Sequence, residues 1–266
     1  MKEKTDYFEA NKNLWNQRTI VHKDSAFYDL ETFKAGGNVL NPIELSEIGD
    51  VKNKSLLHLQ CHFGMDTLSF SRMGAKCTGI DLSDEAIKLA QNINDELNLD
   101  AKFICCNVYD TAKFVKEQFD IVFTSYGVIG WLPDLKPWAE VIVEKLKPGG
   151  FFYMAEFHPV LWMFDDEFTH IKYYYDNREI IITENEGTYT DRNADIKGKE
   201  YSWNHSISEV LNALIGVGLK VELFNEYTFS PYPCFRNMVE SEPDKWHIRN
   251  MEGKLPLVYS VKAIKA

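Results

Sequence analysis

The sequence predicts a doubly wound α/β fold: a mostly parallel seven-stranded sheet with helices on both faces, an antiparallel last strand, and a small β-rich insertion as a cap. Three observations carry this expectation. Short, nearly continuous apolar runs recur at residues 55–60 (SLLHLQ), 75–81, 101–106, 119–125 and 151–156, with stretches of helical periodicity between them. Strands apolar on both faces and alternating with helices mark a parallel sheet covered on both sides. Two further runs, 219–227 and 257–264, have no helix between them and are expected antiparallel at a sheet edge, and residues 165–203, rich in Tyr, Ile and Thr between turn formers, read as extra antiparallel strands.

The elements follow in order. Short helices are expected at 7–16 and 42–47, and a helix at 65–73 follows the first strand. Ser83 reads as the N-cap of the next helix, with Asp84 and Glu85 favourable in its first turn and Ala86, Ala90, Ile93 and Leu97 as its buried face. Trp138, Val141, Ile142 and Leu146 mark another helix, stopped by Lys147-Pro148-Gly149-Gly150 before the fifth strand. Ser206 and Glu209 stand at capping-box spacing ahead of an apolar stripe of Ile207, Val210, Leu211, Leu214 and Ile215. Residues 229–254 read as an irregular insertion. The expected organisation is one domain over 1–266: an N-terminal helical lid (1–50), a core (51–160), the cap (165–203), and a C-terminal helix with edge strands (204–266).

A chain of 266 residues with 45% hydrophobic residues is long enough to bury a two-layered core. Forty acidic residues against 29 basic give a net charge of −11, which disfavours nucleic acid and anionic membranes as partners. The N-terminal stretch has no secretory pattern and no run reaches the ~18 apolar residues of a membrane span. The five cysteines are odd in number and lack C-x-x-C spacing, so they read as reduced thiols in a cytoplasmic protein. Cys61 and His62 are adjacent, but neighbouring side chains point apart and no second pair stands nearby, so no metal site is expected.

The segment 56–83 (LLHLQCHFGMDTLSFSRMGAKCTGIDLS) carries the most chemistry. A strand ends in a tight loop, a helix starts, and Asp81 closes the next strand about 20 residues on, where doubly wound folds place a carboxylate for ribose hydroxyls. A dinucleotide fingerprint requires G-x-G-x-x-G; only Gly64 is present, which argues against close approach of a pyrophosphate. With the loop Gln60-Cys61-His62-Phe63-Gly64, the strand end Gly79-Ile80-Asp81-Leu82-Ser83, the strand Phe119-Asp120-Ile121-Val122 and the turn Leu146-Lys147-Pro148-Gly149-Gly150, residues 54–160 resemble the class I S-adenosylmethionine-dependent methyltransferases. The chain departs from that pattern at His58, where an acid is usual, and at Gln60 and His62, where glycines are usual. The loop, Trp15–His22 (WNQRTIVH) and the run Ala155-Glu156-Phe157-His158-Pro159 are similar to a bacterial branch of small-molecule methyltransferases.

The resemblance implies S-adenosylmethionine as cofactor. It places Leu59, Gln60, Cys61, His62 and Gly64 against the methionine and ribose parts, Asp81 on the ribose hydroxyls and Leu82 on the adenine. Asn107 and Val108 would face the adenine edge, and Ser125 and Tyr126 would border the methyl group. Trp15 and Arg18 belong to the expected lid. For proton transfer His158 is the first candidate, since it follows strand five at the carboxyl edge and titrates near neutrality, with Glu156 and Tyr126 as rivals. Thr124-Ser125-Tyr126-Gly127 after strand four has neither the acids of Mg²⁺-dependent catechol-type enzymes nor the motifs of DNA-methylating enzymes, which leaves a small organic acceptor. A nicotinamide-dependent oxidoreductase and a non-catalytic cofactor-binding protein are the alternative readings.

Overall fold

A computed structural model describes residues 7–175 and 179–266; the first six residues of the expected lid and 176–178 of the expected cap lie outside them. The N-terminal helices are α1 (Tyr7–His22), α2 (Leu30–Lys34) and α3 (Pro42–Ile48). The alternating core follows as β1 (Ser55–Leu59), α4 (Met65–Arg72), β2 (Lys76–Asp81), α5 (Asp84–Glu96), β3 (Lys102–Cys105), α6 (Thr111–Phe114), β4 (Phe119–Thr124), α7 (Leu135–Lys145) and β5 (Leu146–Phe157). A hairpin of β6 (Ile181–Glu186) and β7 (Lys197–Ser202) precedes α8 (Ile207–Gly216) and β8 (Leu219–Tyr227). A second hairpin, β9 (Met238–Glu242) and β10 (Lys245–Ile248), precedes β11 (Val258–Lys265).

Seven strands form one sheet in the order β3-β2-β1-β4-β5-β11-β8. Strands β1 to β5 are parallel, and β11 runs antiparallel to both β5 and β8. The expected fold class is the one observed. Strand β1 explains its own position: Leu57 and Leu59 pack with Trp138 and Leu214 on one face, while Leu56 packs with Phe63 and Phe70 on the other. Helices α7 and α8 cover the first face and α2 to α5 the second, so a near-continuous apolar strand is what the centre of the sheet requires. Ser83 caps α5 by accepting from the Ala86 amide at 3.1 Å, and Ser206 caps α8 by accepting from that of Glu209.

Three elements differ from expectation. Helix α1 runs to His22, because its buried stripe is Asn11, Leu14, Arg18 and His22, helical in spacing but too polar to register as apolar periodicity. Strand β5 begins at Leu146, directly after α7, so the Pro-Gly-Gly turn lies inside the strand; Gly149 takes a positive φ of 76° there and the register with β4 shifts between Phe119 and Ile121. Residues 238–248, read as irregular, form the β9–β10 hairpin, closed by Asp244 at φ 60°. Among the described residues no helix is long and apolar enough to cross a membrane.

Candidate functional site

The parallel strands point their carboxyl ends at a cavity of about 1270 Å³, where ligands of such sheets bind. The loop after β1 forms its floor. Gln60, His62 and Gly64 all take left-handed backbone conformations, with φ of 57°, 51° and 78°. The chain thus keeps a glycine-type turn while using glycine only once, at about 1–3 kcal/mol of strain for each of the other two. Gly64 is irreplaceable on a second count, since an added Cβ would lie 2.5 Å from the Phe103 ring.

Asp81, at the tip of β2, anchors this loop. Its two carboxylate oxygens accept one amide each, from His62 and Ser83, both at 2.8 Å. A carboxylate offers about four acceptor positions, so two remain, and Asp81 lines the cavity. Burial pushes its pKa up, against the pull of these amides.

Gln60, Cys61, His62, Gly64, Asp81, Leu82, Asn107, Val108, Ser125, Tyr126, Trp15 and Arg18 all line this one cavity. Leu59 is fully buried in the core below it. Asn107 caps its own turn, its side chain accepting from the Tyr109 amide at 3.0 Å. Arg18 donates to Glu200 at 2.7 Å and lies 5.1 Å and 5.5 Å from the ring centres of Trp15 and Trp131. Arg18 Nε, Gln60 Oε1 and His62 Nε2 are buried and meet no hydrogen-bond partner among the described residues. Buried polar atoms are ordinarily satisfied, and three from residues that line one cavity suit a polar ligand.

Two expected candidates lie off the cavity lining. Glu156 accepts four backbone amides, from Gly127 and Phe157 on Oε1 and from Val128 and Ile129 on Oε2. His158 is held between Glu226, 3.0 Å from Nε2, and the Val160 amide, which donates to Nδ1. Tyr126 does line the cavity and donates to Glu44 at 2.8 Å. Burial pushes its hydroxyl pKa well above the usual value, so it stays protonated and serves as a hydrogen-bonding group.

His58, standing where the related pattern has an acid, is fully buried between Thr67 (2.8 Å) and Ser125 (3.3 Å). Burial lowers its pKa to about 3, which makes it neutral. The carboxylate on this side of the cavity is Asp66, in the first turn of α4, bonded to Ser125 and pushed up to about 7 by burial and then by Glu44. Asp66 and Glu44 carry no signal as a pair in the sequence: they stand on different short helices, and the electrostatic effect that couples them joins segments about twenty residues apart.

Comparisons with known proteins agree with this arrangement. Residues 57–154 match the model of a family described as a methyltransferase domain. Over that span, a little over a third of the chain, the sequence is similar to that family. The matched span runs from within β1 to most of β5, with the loop 60–64, Asp81 and Tyr126 inside it. The ubiquinone biosynthesis O-methyltransferase of Proteus mirabilis is 24% identical over 159 residues, covering 58% of this chain and 64% of that one. The chain spans about half to under two thirds of the length of the curated relatives it matches. Among solved structures, an S-adenosylmethionine dependent methyltransferase from Listeria monocytogenes superposes with a TM-score of 0.61 at 19% identity, covering 84% of this chain and 96% of that one. The glycopeptide N-methyltransferase MtfA, complexed with S-adenosyl-L-methionine, does so at 0.52 and 15% identity, covering 83% and 90%. At these identities the likeness is one of fold.

Proposed function

We propose that the protein is a methyltransferase that uses S-adenosylmethionine to methylate a small organic acceptor. The observation that carries the reading is the Asp81 carboxylate, fixed by two amides with its remaining acceptor positions at the cavity wall. That is the geometry a ribose diol needs. Leu82, Asn107 and Val108 continue the wall toward where an adenine ring would stack, and the partnerless atoms of Arg18, Gln60 and His62 suit the polar tail.

When bound, S-adenosylmethionine supplies an electrophilic methyl group on a sulfonium, which an acceptor displaces in line. The chain's own contribution is alignment and exclusion of water. Tyr126 and Ser125 border the reacting region and orient the acceptor by hydrogen bonds. Glu156 and His158 act as positioning residues: Glu156 fixes the backbone of residues 127–129, and His158 ties the turn after β5 to Glu226 of β8. Phe157, Trp162, Tyr232 and Phe235 pack edge to face along the wall, giving apolar area with a polar tip for a small, partly apolar acceptor.

The net charge of −11 supports a small molecule over nucleic acid as partner, and five unpaired cysteines support a reducing, cytoplasmic setting. The test is binding of S-adenosylhomocysteine by calorimetry. Hydrogen bonds to a charged acceptor contribute about 1.5–3 kcal/mol, so Asp81→Ala should weaken binding roughly tenfold to a hundredfold. An unchanged dissociation constant would assign Asp81 to loop structure alone.

Helix α1 is proposed as the lid. Asn11 exchanges two hydrogen bonds with the Tyr201 backbone, His22 meets Thr188, and Asn16 bonds Asp84 and Ser83. It therefore straps the β6–β7 hairpin to α5 across the cavity mouth. Hydrogen exchange should slow in residues 7–28 when S-adenosylhomocysteine is added. Protection that appears only in the 59–64 loop would make α1 a static buttress.

A further inference from the structure

One wall of the cavity is a cluster of aromatic rings drawn from three separate segments. Phe157, the last residue of β5, stands at its centre. The rings of Phe235, Tyr126, Tyr232 and Trp162 lie 4.9, 5.7, 6.0 and 6.1 Å from it, centre to centre, and all five residues line the cavity. Trp162 is 38% exposed, so part of its ring is free of protein contact. Elsewhere in the molecule, arginines and lysines lie over the rings of Trp15, Trp131, Phe33, Tyr173, Phe229 and Phe151. Among the described residues no cation lies over any of the five wall rings. Their electron-rich faces are left to a cation from outside.

The polar tip of Tyr126 accepts hydrogen bonds and donates none to a ligand. Glu44 is 1% exposed, and its Oε1 already accepts from the backbone and side-chain amides of Asn41, at 2.8 and 2.9 Å. Its Oε2 takes the Tyr126 hydroxyl hydrogen at 2.8 Å. A phenol has one hydrogen to give, so Tyr126 presents only lone pairs to the cavity. Charge points the same way. Among the described lining residues carboxylates outnumber arginines eight to three, and no lysine is present. Two of the arginines are already paired, Arg18 with Glu200 and Arg236 with Glu167.

We propose that this aromatic wall is the acceptor subsite and that the acceptor is an amine, bound as its ammonium ion among Phe157, Trp162, Tyr232 and Phe235 with one N–H donated to Tyr126. The inference rests on the methyltransferase reading and deepens it, making the transfer an N-methylation. An anionic acceptor meets a wall of its own sign. A neutral alcohol or phenol gains neither the ring faces nor the carboxylates. An ammonium gains both, and its hydrogen bond to Tyr126 is charge-assisted. Before reacting, the ammonium sheds one proton to solvent. The freed nitrogen lone pair then bonds the methyl carbon while the carbon–sulfur pair stays on sulfur, giving the N-methylammonium ion and S-adenosylhomocysteine.

Calorimetry on protein saturated with S-adenosylhomocysteine, which fills the donor site, tests the assignment with three probes of similar shape: 2-phenylethylamine, 2-phenylethanol and 3-phenylpropionate. The amine should bind about tenfold tighter than the alcohol or better, and the carboxylate should bind most weakly. Trp162→Leu, at a partly exposed position, should narrow the gap between amine and alcohol several-fold while S-adenosylhomocysteine binds as before, which shows that the variant is folded. Tyr126→Phe keeps the ring and removes the oxygen, and should narrow the same gap. Alcohol or carboxylate binding as tightly as the amine overturns the proposal, and so does a gap that neither substitution changes. Absence of binding by all three probes at millimolar concentration overturns it too. A wild type that fails to bind S-adenosylhomocysteine overturns the methyltransferase reading itself.

Discussion

Replacing Glu156 with alanine is expected to lower the melting temperature by about 8–16 °C, and Glu156→Gln by a comparable amount. The carboxylate accepts from four amides, those of Gly127, Val128, Ile129 and Phe157. Alanine strands all four donors next to a buried core, and each unsatisfied buried donor costs about 1–3 kcal/mol. Partial access to solvent at 127 and 128 offsets some of this, leaving roughly 4 kcal/mol, and a domain of this size loses about 2–4 °C per kcal/mol. Glutamine is no rescue, since its amide nitrogen would point a donor at two donors. A thermal melt of both variants checks the role. If Glu156→Gln melts with the wild type while losing methyl transfer, Glu156 is a reacting group and the positioning role is wrong.

Glu156 also shows where sequence reading stops. Its place at the end of strand five was legible, because strand order and spacing follow from apolar runs and turn residues. Which way the carboxylate points was not legible. That depends on the loop 127–129 turning its amides back toward β5, a tertiary event without a local pattern. The position of Asp81 was legible because it is topological: the end of the second strand, about twenty residues past the loop, is fixed by the fold itself. The β9–β10 hairpin was missed because its strands carry Glu240, Glu242 and Lys245, polar on an exposed two-stranded sheet, so neither alternation nor apolarity marks it. The capping box at Ser206 and Glu209 was half right. Ser206 caps α8, but the Glu209 side chain turns to His205 at 3.1 Å instead.

The Asp66–Glu44 pair is the clearest case of chemistry that only packing creates, and it makes the second large prediction. A carboxyl whose pKa rises from 3.8 to about 7 on folding binds its proton more tightly in the native state than in the unfolded chain. The sign follows from linkage: the stabilisation is fully present below the ordinary carboxyl range and is lost as pH rises through about 7. Above that the native state holds a charge it disfavours, at about 4 kcal/mol at most for a shift of this size, less what cavity solvent screens. Asp66→Asn removes the charge while keeping the shape and a hydrogen bond to Ser125. The variant should therefore melt close to the wild type only near pH 3.5, and increasingly above it as pH rises, by several degrees at pH 8. Stability held in reserve by a cavity-facing charge is a recurrent cost of a binding site. Parallel melting curves for the two proteins across pH 5 to 8 would show instead that Asp66 is ionised in the native state throughout.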